Sequence, residues 1–170
     1  SSAFERAEAF AKKFDLNLVK VDLSSAHDSI YGQIKTLSDV PNADMENRIA
    51  VGGLRSCLRA PTLSFFANAT RGLIVGTGNR SEDHITRYFQ KYCDGCVDIS
   101  PIADLFKSEV RELFAHLTTV SVTSGETFML PAAKAIYDAK PTADLWGPES
   151  GQVDEEELGI SYEEIEWADR

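Results

Sequence analysis

The chain has 170 residues, with 27 acidic and 17 Lys/Arg side chains and a formal net charge of −10. That length fits one domain with a sizeable core, and a hydrophobic fraction of 43% excludes a disordered chain. The acidity argues against broad binding to nucleic acid or anionic membranes, whose phosphates repel such a surface, but leaves room for a local basic pocket.

Phe4, Ala7, Phe10, Ala11 and Phe14 recur at helical spacing, which predicts an amphipathic helix over residues 3–14. Glu5 and Arg6 stand where a secretory signal would be apolar. Leu18-Val19-Lys20-Val21 is short and β-branched and reads as a strand. Ser24-Ser25 offers a cap for a helix over residues 26–37. Pro41-Asn42 is a turn. A helical tract over residues 43–68 follows, bent or broken by Gly52-Gly53 and Pro61. Its uncharged end, residues 60–70, is far short of the roughly 20 apolar residues of a bilayer span. Gly72-Leu73-Ile74-Val75-Gly76 has the pattern of a strand buried in a parallel sheet. Thr77-Gly78-Asn79 lies at its carboxyl end, where open α/β sheets hold ligands. Residues 102–117 read as another amphipathic helix, 118–130 as a loop or small hairpin, and Pro131 as the first turn of a helix reaching Asp138. Pro141 and Pro148 bracket a loop. Residues 154–170 are acidic with helical spacing at Leu158, Tyr162, Ile165 and Trp167. Alternating helices and apolar runs predict an α/β fold.

Three segments carry candidate chemistry. In Gly76-Thr77-Gly78-Asn79-Arg80-Ser81-Glu82-Asp83 the glycines let backbone approach a ligand, Thr77 offers a hydroxyl, and Glu82 offers a carboxylate suited to Mg²⁺. Its plainer reading is a strand-to-helix turn with Ser81 as N-cap. Lys91-Tyr92-Cys93-Asp94-Gly95-Cys96-Val97-Asp98 places two carboxylates and a lysine around a turn. Cys93 and Cys96 supply half of a structural zinc site, and Cys57, His27, His84 and His116 lack the spacing to complete it. Three cysteines make no disulfide framework, which favours a reducing, cytoplasmic setting. Pro141-Thr142-Ala143-Asp144-Leu145-Trp146 reads alone as a loop with an aromatic anchor. The acid run at 154–157 reads as a solvated helix start favoured by the helix dipole, and the three histidines as solvated or structural.

Taken together, these segments are more specific. The order of Gly76 to Glu82, Tyr88 to Tyr92 with Asp94-Gly95, and Val97 to Val110 closely resembles the NAD synthetase family, as do Pro141 to Trp146 and Gly151 to Tyr162. The resemblance runs over residues 50–167, apart from 118–130, which looks like an insertion. It implies an α/β fold, a Rossmann-like parallel sheet flanked by helices of the adenine nucleotide alpha hydrolase-like type. It implies an ammonia-dependent ligase that joins ATP, deamido-NAD and ammonia through a nicotinate adenylate, releasing AMP and pyrophosphate. Mapped onto matching positions, Glu82 is similar to the Mg²⁺ ligand, and Thr77, Lys107 and Thr142 to ATP contacts, Lys107 holding phosphate. Lys91, Asp98 and Arg59 fall to deamido-NAD, and Asp94 to the incoming ammonia. The resemblance also implies a homodimer, with residues 43–68, including Phe65 and Phe66, as the candidate dimer helix. It implies no nucleic-acid or membrane partner.

The departures are informative. Where the family reads G-N-x-x-A-R-x-R-M, this chain has Gly52-Gly53-Leu54-Arg55-Ser56-Cys57-Leu58-Arg59-Ala60, so a substrate arginine falls on Cys57, with Arg55 and Arg59 as the candidates to serve instead. The family's S-G-G-x-D-S loop and basic tail do not occur in these 170 residues. The expectation is therefore an incomplete single domain whose span alone has no turnover. Two rival expectations remain, another ATP-pyrophosphatase-type amidating enzyme and a catalytically inactive nucleotide-binding module. The charge adds a last point: residues 149–170 hold nine acids and one arginine, so most of the net negative charge is terminal and the body is nearly neutral.

Overall fold

A computed structural model describes residues 2–121, 126–143, 145 and 151–170. Asp144, Trp146, Pro148 and the tip of the 118–130 segment lie outside the described residues.

Helix α1, Ala3–Lys13, opens with a reciprocal cap: Glu5 N–H donates to Ser2 Oγ at 3.2 Å, and Ser2 N–H donates to the Glu5 carboxylate at 2.8 Å. Its apolar face meets α6, Pro131–Tyr137, over the fully buried Ala133. Phe10 also stacks on Phe114 at 5.8 Å between centroids. Helix α2, Ser24–Ile34, begins two residues earlier than its serines predict, with Leu23 at the N-cap and Asp22 accepting from Ser24 N–H at 2.9 Å.

The long helical tract divides into α3, Arg48–Cys57, and α4, Arg59–Thr70. Pro61 explains the position of the break. Its ring and missing N–H cannot coexist with a continuous helix through the carbonyl of Cys57, four residues back. In the first turn of α4 the same proline is harmless. Gly52-Gly53 stays inside α3, with Gly52 buried.

The two apolar runs read as strands behave differently from expectation. Residues 18–21 are extended but join no ladder among the described residues, and Val19 is 60% exposed. Residues 72–76 keep a single parallel bridge, Val75 to Ile99, with Gly76 N–H donating to Ile99 O at 2.7 Å. Leu73 is 66% exposed. Burial of such a run depends on strands on both sides and layers on both faces, and the described residues supply one neighbour only.

A π-helix, Arg80–Thr86, follows the bridge. Helix α5, Lys107–Thr118, starts five residues later than the periodicity suggests, since 102–105 form turns. The 118–130 segment is an antiparallel hairpin of β1, Thr119–Ser121, and β2, Thr127–Met129. Helices α7, Asp154–Leu158, and α8, Tyr162–Asp169, are separated by Gly159 at φ +70°, the left-handed stop that glycine permits. Helix α8 packs on the π-helix and on α5 and so closes the site from below. No helix among the described residues is long and apolar enough to cross a membrane.

Candidate functional site

The π-helix is capped by Asn79 and not by Ser81. Asn79 Oδ1 accepts from Glu82 N–H at 3.1 Å, and Asn79 Nδ2 donates to the Glu82 carboxylate at 2.6 Å. One asparagine therefore fixes both the backbone and the side chain of Glu82. The other oxygen of that carboxylate pairs with Lys107 Nζ, the first residue of α5. The Tyr162 ring lies under the ammonium, 5.1 Å from its centroid, and its hydroxyl donates to Asp154 at 3.2 Å, with Glu82 3.5 Å away.

Glu82 and Asp154 border a cleft of about 710 Å³ lined by residues of α3, the π-helix, residues 87–90, Thr142, Ala143, Leu145 and α7. Among the expected site residues, Thr77, Glu82, Asp94, Arg59 and Thr142 line it. Lys107 joins them through Glu82. Lys91 and Asp98 stand outside this lining: Lys91 Nζ lies 5.5 Å from the Tyr92 ring, and Asp98 accepts from Ile74 N–H at 2.8 Å, fastening the end of the extended run. Asp94 also accepts from Gln90 N–H at 3.0 Å, closing its own turn. Arg55 reaches across to the Leu145 carbonyl at 2.6 Å, while Arg59 borders the cleft. Cys57, Cys93 and Cys96 are free thiols, and burial pushes the Cys93 thiol up. Among the described residues no group of three or more His, Cys, Asp or Glu is arranged to hold a metal.

The acid run at 154–157 is the helix start that its charge suggests, with Glu156 and Glu157 exposed, but Asp154 is not solvated. Asp154 is 5% exposed and faces the cleft. Burial raises its carboxyl above the ordinary value; Lys107 and the Tyr162 hydroxyl pull the other way, and the charge of Glu82 adds to the rise. One Asp154 oxygen, Oδ1, is buried without a hydrogen-bond partner. Glu157 accepts from the Tyr88 hydroxyl, and Gln152 Nε2 donates to Glu157 at 3.0 Å. Glu155 accepts from Tyr162 N–H at 2.8 Å. Tyr88 and Tyr162 are both held far above the ordinary phenol range, in each case first by burial and then by neighbouring carboxylates. The signal for Asp154 was its match to Tyr162 across the Gly159 turn, which a linear reading of charge does not register.

The lining carries Glu82, Asp83, Asp94, Asp154 and Glu157 against Arg59 and Arg87. Asp83 is raised by burial first and then by Glu82 and Asp94, a direct sign of crowded negative charge. Such a cleft favours cations, and accepts a polyphosphate only with a metal ion or ammonium groups to offset its charge.

Comparison with known proteins adds the family. The family model described as NAD synthase matches residues 1–168. The NH(3)-dependent NAD(+) synthetase of Picrophilus torridus is 42% identical over 115 residues, 68% of this chain and 39% of that protein. That of Thermoplasma volcanium is 32% identical over 165 residues, 97% of this chain and 57% of that protein. The chain thus spans about half the length of the curated relatives it matches. Among solved structures, the NMN synthetase from Francisella tularensis aligns with a TM-score of 0.77 at 26% identity, over 98% of this chain and 60% of that one. The NH3-dependent NAD synthetase from Campylobacter jejuni aligns with a TM-score of 0.59 at 24% identity, over 69% of this chain and 48% of that one, a likeness of fold.

Proposed function

The chain belongs to the NAD synthase family, and on that premise we propose that its protein is an ATP-dependent amide ligase making NAD from deamido-NAD and ammonia. The fold is the α/β adenine nucleotide alpha hydrolase type of that family, of which the described residues carry the helices and the Val75–Ile99 bridge. The observation that carries the reading is the convergence of Glu82, Lys107 and Thr77 around one acid-lined cleft.

In the proposed reaction an oxygen of the nicotinate carboxylate forms a bond to the α-phosphorus of ATP, and the bond to pyrophosphate breaks. Ammonia nitrogen then attacks the carbonyl carbon of the acyl-adenylate, AMP leaves with the bonding pair, and one proton is released. Lys107 meets the charge that builds on the departing pyrophosphate, and Thr77 and Thr142 bind ATP. Asp94, exposed at the cleft edge, takes the one proton that the ammonia nitrogen sheds as it attacks. Arg59 at the cleft serves deamido-NAD, together with Lys91 and Asp98 from outside the lining. Glu82 fits Mg²⁺, a hard cation usually held by one or two carboxylates and substrate phosphates, and the excess acid of the lining suits it. When bound, that ion neutralises phosphate charge. The exposed face of α4, with Phe65 and Phe66, is the proposed homodimer contact.

The test is the full-length protein with MgATP, deamido-NAD and ammonium chloride. The expected result is NAD, AMP and pyrophosphate in equal amounts, and no product of any of the three would overturn the reading. A second reading, formation of NMN from the mononucleotide acid, draws on the TM-score of 0.77 with the Francisella tularensis NMN synthetase. A kcat/KM at least about tenfold higher for the mononucleotide than for deamido-NAD would establish it. Nucleotide binding without turnover of either substrate would instead identify a degenerate module.

A further inference from the structure

The Lys107–Glu82 pair joins two elements far apart in sequence, the π-helix and the first turn of α5. Asn79 fixes Glu82. Nothing within α5 fixes Lys107, because the first N–H groups of a helix have no partners of their own. Here they find partners from outside the helix. Lys107 N–H donates to Ser81 Oγ at 3.0 Å, and Ser81 Oγ in turn donates to the Glu166 carboxylate at 2.9 Å. Ser108 N–H donates to the same Glu166 oxygen at 3.1 Å, and the Ser108 hydroxyl donates to the other. Ser81 is fully buried and Glu166 is 4% exposed. One carboxylate from α8 thus caps α5 and ties it to the π-helix at the residue next to Glu82.

The same face of α8 makes two further contacts, of which only that of Tyr162 reaches the Lys107–Glu82 pair. Tyr162, Glu166 and Asp169 lie on one face at helical spacing. Tyr162 meets Glu82 and Lys107, and Asp169 accepts two hydrogen bonds from Arg80, at 2.9 and 2.6 Å. A negative charge at the start of α5 also suits the helix dipole. Burial opposes the charge on Glu166, but the hydrogen bonds from Ser108 and Ser81 outweigh it and hold the carboxyl below its ordinary value.

We propose that Glu166 is a positioning residue for the ligase site: through Ser81 and the first turn of α5 it holds Lys107 in register with Glu82. Its effect on activity rests on the reaction proposed above; its effect on Lys107 does not. Glu166 touches no substrate. It acts through the backbone that carries the lysine.

The test compares full-length wild type with Glu166→Gln, Glu166→Asp and Glu166→Ala, and with Asp169→Ala as a control that cuts only the exposed Arg80 contact. Two quantities are read. The first is the reductive methylation rate of Lys107 relative to the exposed Lys134, by mass spectrometry. The second is steady-state kinetics for MgATP and deamido-NAD. Glu166→Gln keeps the shape and is expected to stay folded. It should raise the Lys107 rate several-fold and lower kcat/KM for MgATP about tenfold, with the KM for deamido-NAD within about twofold of wild type. Glu166→Asp, one methylene short of spanning both serines, should fall between. Asp169→Ala should match wild type. If Glu166→Ala does not fold, Glu166→Gln decides. The proposal is overturned if folded Glu166→Gln leaves the Lys107 rate and the MgATP kcat/KM within about twofold of wild type, or if both substrates lose equally. Should wild type form no amide product, the ligase reading fails, and the Lys107 rates still decide the role of Glu166.

Discussion

The junction of the π-helix, α5 and α8 and the run at 72–76, which leads into the π-helix, are built on opposite terms. At the junction buried polar groups sit beside Phe106, Tyr162 and Ile165 and are paired: Asn79, Ser81 and Glu166 each have named partners. Along the run Leu73 and Val75 are apolar and exposed, and among the described residues its pairing is confined to one strand neighbour at 98–99. The apolar core of the described residues is small, with Ala11, Cys93, Phe106, Ala133, Tyr162 and Ile165 buried. Order at the site end therefore comes largely from hydrogen bonds whose loss would strand buried donors and acceptors. Substitutions at the junction should be read in chemistry and stability together. Those along the run should be read in stability alone.

The largest expected effect belongs to the pair at the centre of the junction. Lys107→Ala should lower the rate of amide formation about 10²–10³-fold, the range for removing one group that stabilises developing charge. Glu82 keeps Asn79 as a partner, so the midpoint of urea unfolding should move little. Full activity in Lys107→Ala would remove the lysine from the proposed chemistry and reduce the junction to a structural feature.

Next in size is Gly76→Ala, which attacks the bridge. A Cβ there would sit 2.8 Å from Val97 Cγ2, 3.0 Å from Ser100 Oγ and 3.3 Å from the Ile99 carbonyl. The Ile99 carbonyl is the backbone partner of the bridge, and a contact under 3.0 Å forces a shift beside it, so the bridge is strained. The expected loss is about 1–3 kcal/mol in denaturant unfolding, typical of overpacking. An unchanged midpoint would mean that the bridge contributes nothing, and the contrast between the two regions would be sharper than drawn.

The helices were legible because a 3.6-residue apolar period is a local property. Phe4 to Phe14 and the Pro131 start both lie where the pattern places them. Pro61 even marked the break at Leu58. What the pattern could not reveal depends on partners distant in sequence. Gly72 to Gly76 has the composition of a buried strand, but burial is a matter of neighbours. Ser81 has cap chemistry, yet its hydroxyl serves Glu166 and Lys107, and the cap passes to Asn79. Glu82, Thr77 and Thr142 line the cleft, while Asp98 is drawn to the Ile74 amide and Asp154, read as solvated, is buried at the cleft.

Asp154 and Glu166 give the comparison a pH signature. Both are buried carboxylates of the same terminal segment, and their shifts are opposite. Asp154 has its folded value raised above 3.8, so folding favours its neutral form; that contribution is present below 3.8 and is lost as pH rises through the raised value. Asp154→Asn should therefore be at least as stable as wild type at pH 7, with the difference vanishing in acid. Glu166 is lowered from 4.5, so its contribution is present above 4.5 and is lost as pH falls through the folded value. Glu166→Gln should be less stable than wild type at neutral pH, the gap closing on acidification. Melting temperatures across this range would show the two curves. An Asp154→Asn protein less stable than wild type at pH 7, with a gap that closes in acid, would mean that Asp154 is fully paired in solution.

The smallest effect tests the other region. Val75 and Val19 are exposed, and replacing an exposed valine by threonine keeps the β-branched shape while removing no buried area. Val75→Thr and Val19→Thr in the 170-residue chain should each change unfolding free energy by less than about 0.5 kcal/mol. Threonine should also reduce self-association at high concentration, since a row of exposed apolar side chains beside unpaired backbone invites pairing. A loss above about 1 kcal/mol would require these side chains to be out of water, because deleting an exposed methyl gives up almost no transfer energy. The run would then be covered in solution by a second molecule, and light scattering of the same two variants, shifting toward the monomer as stability falls, would identify the cover as another copy of the chain.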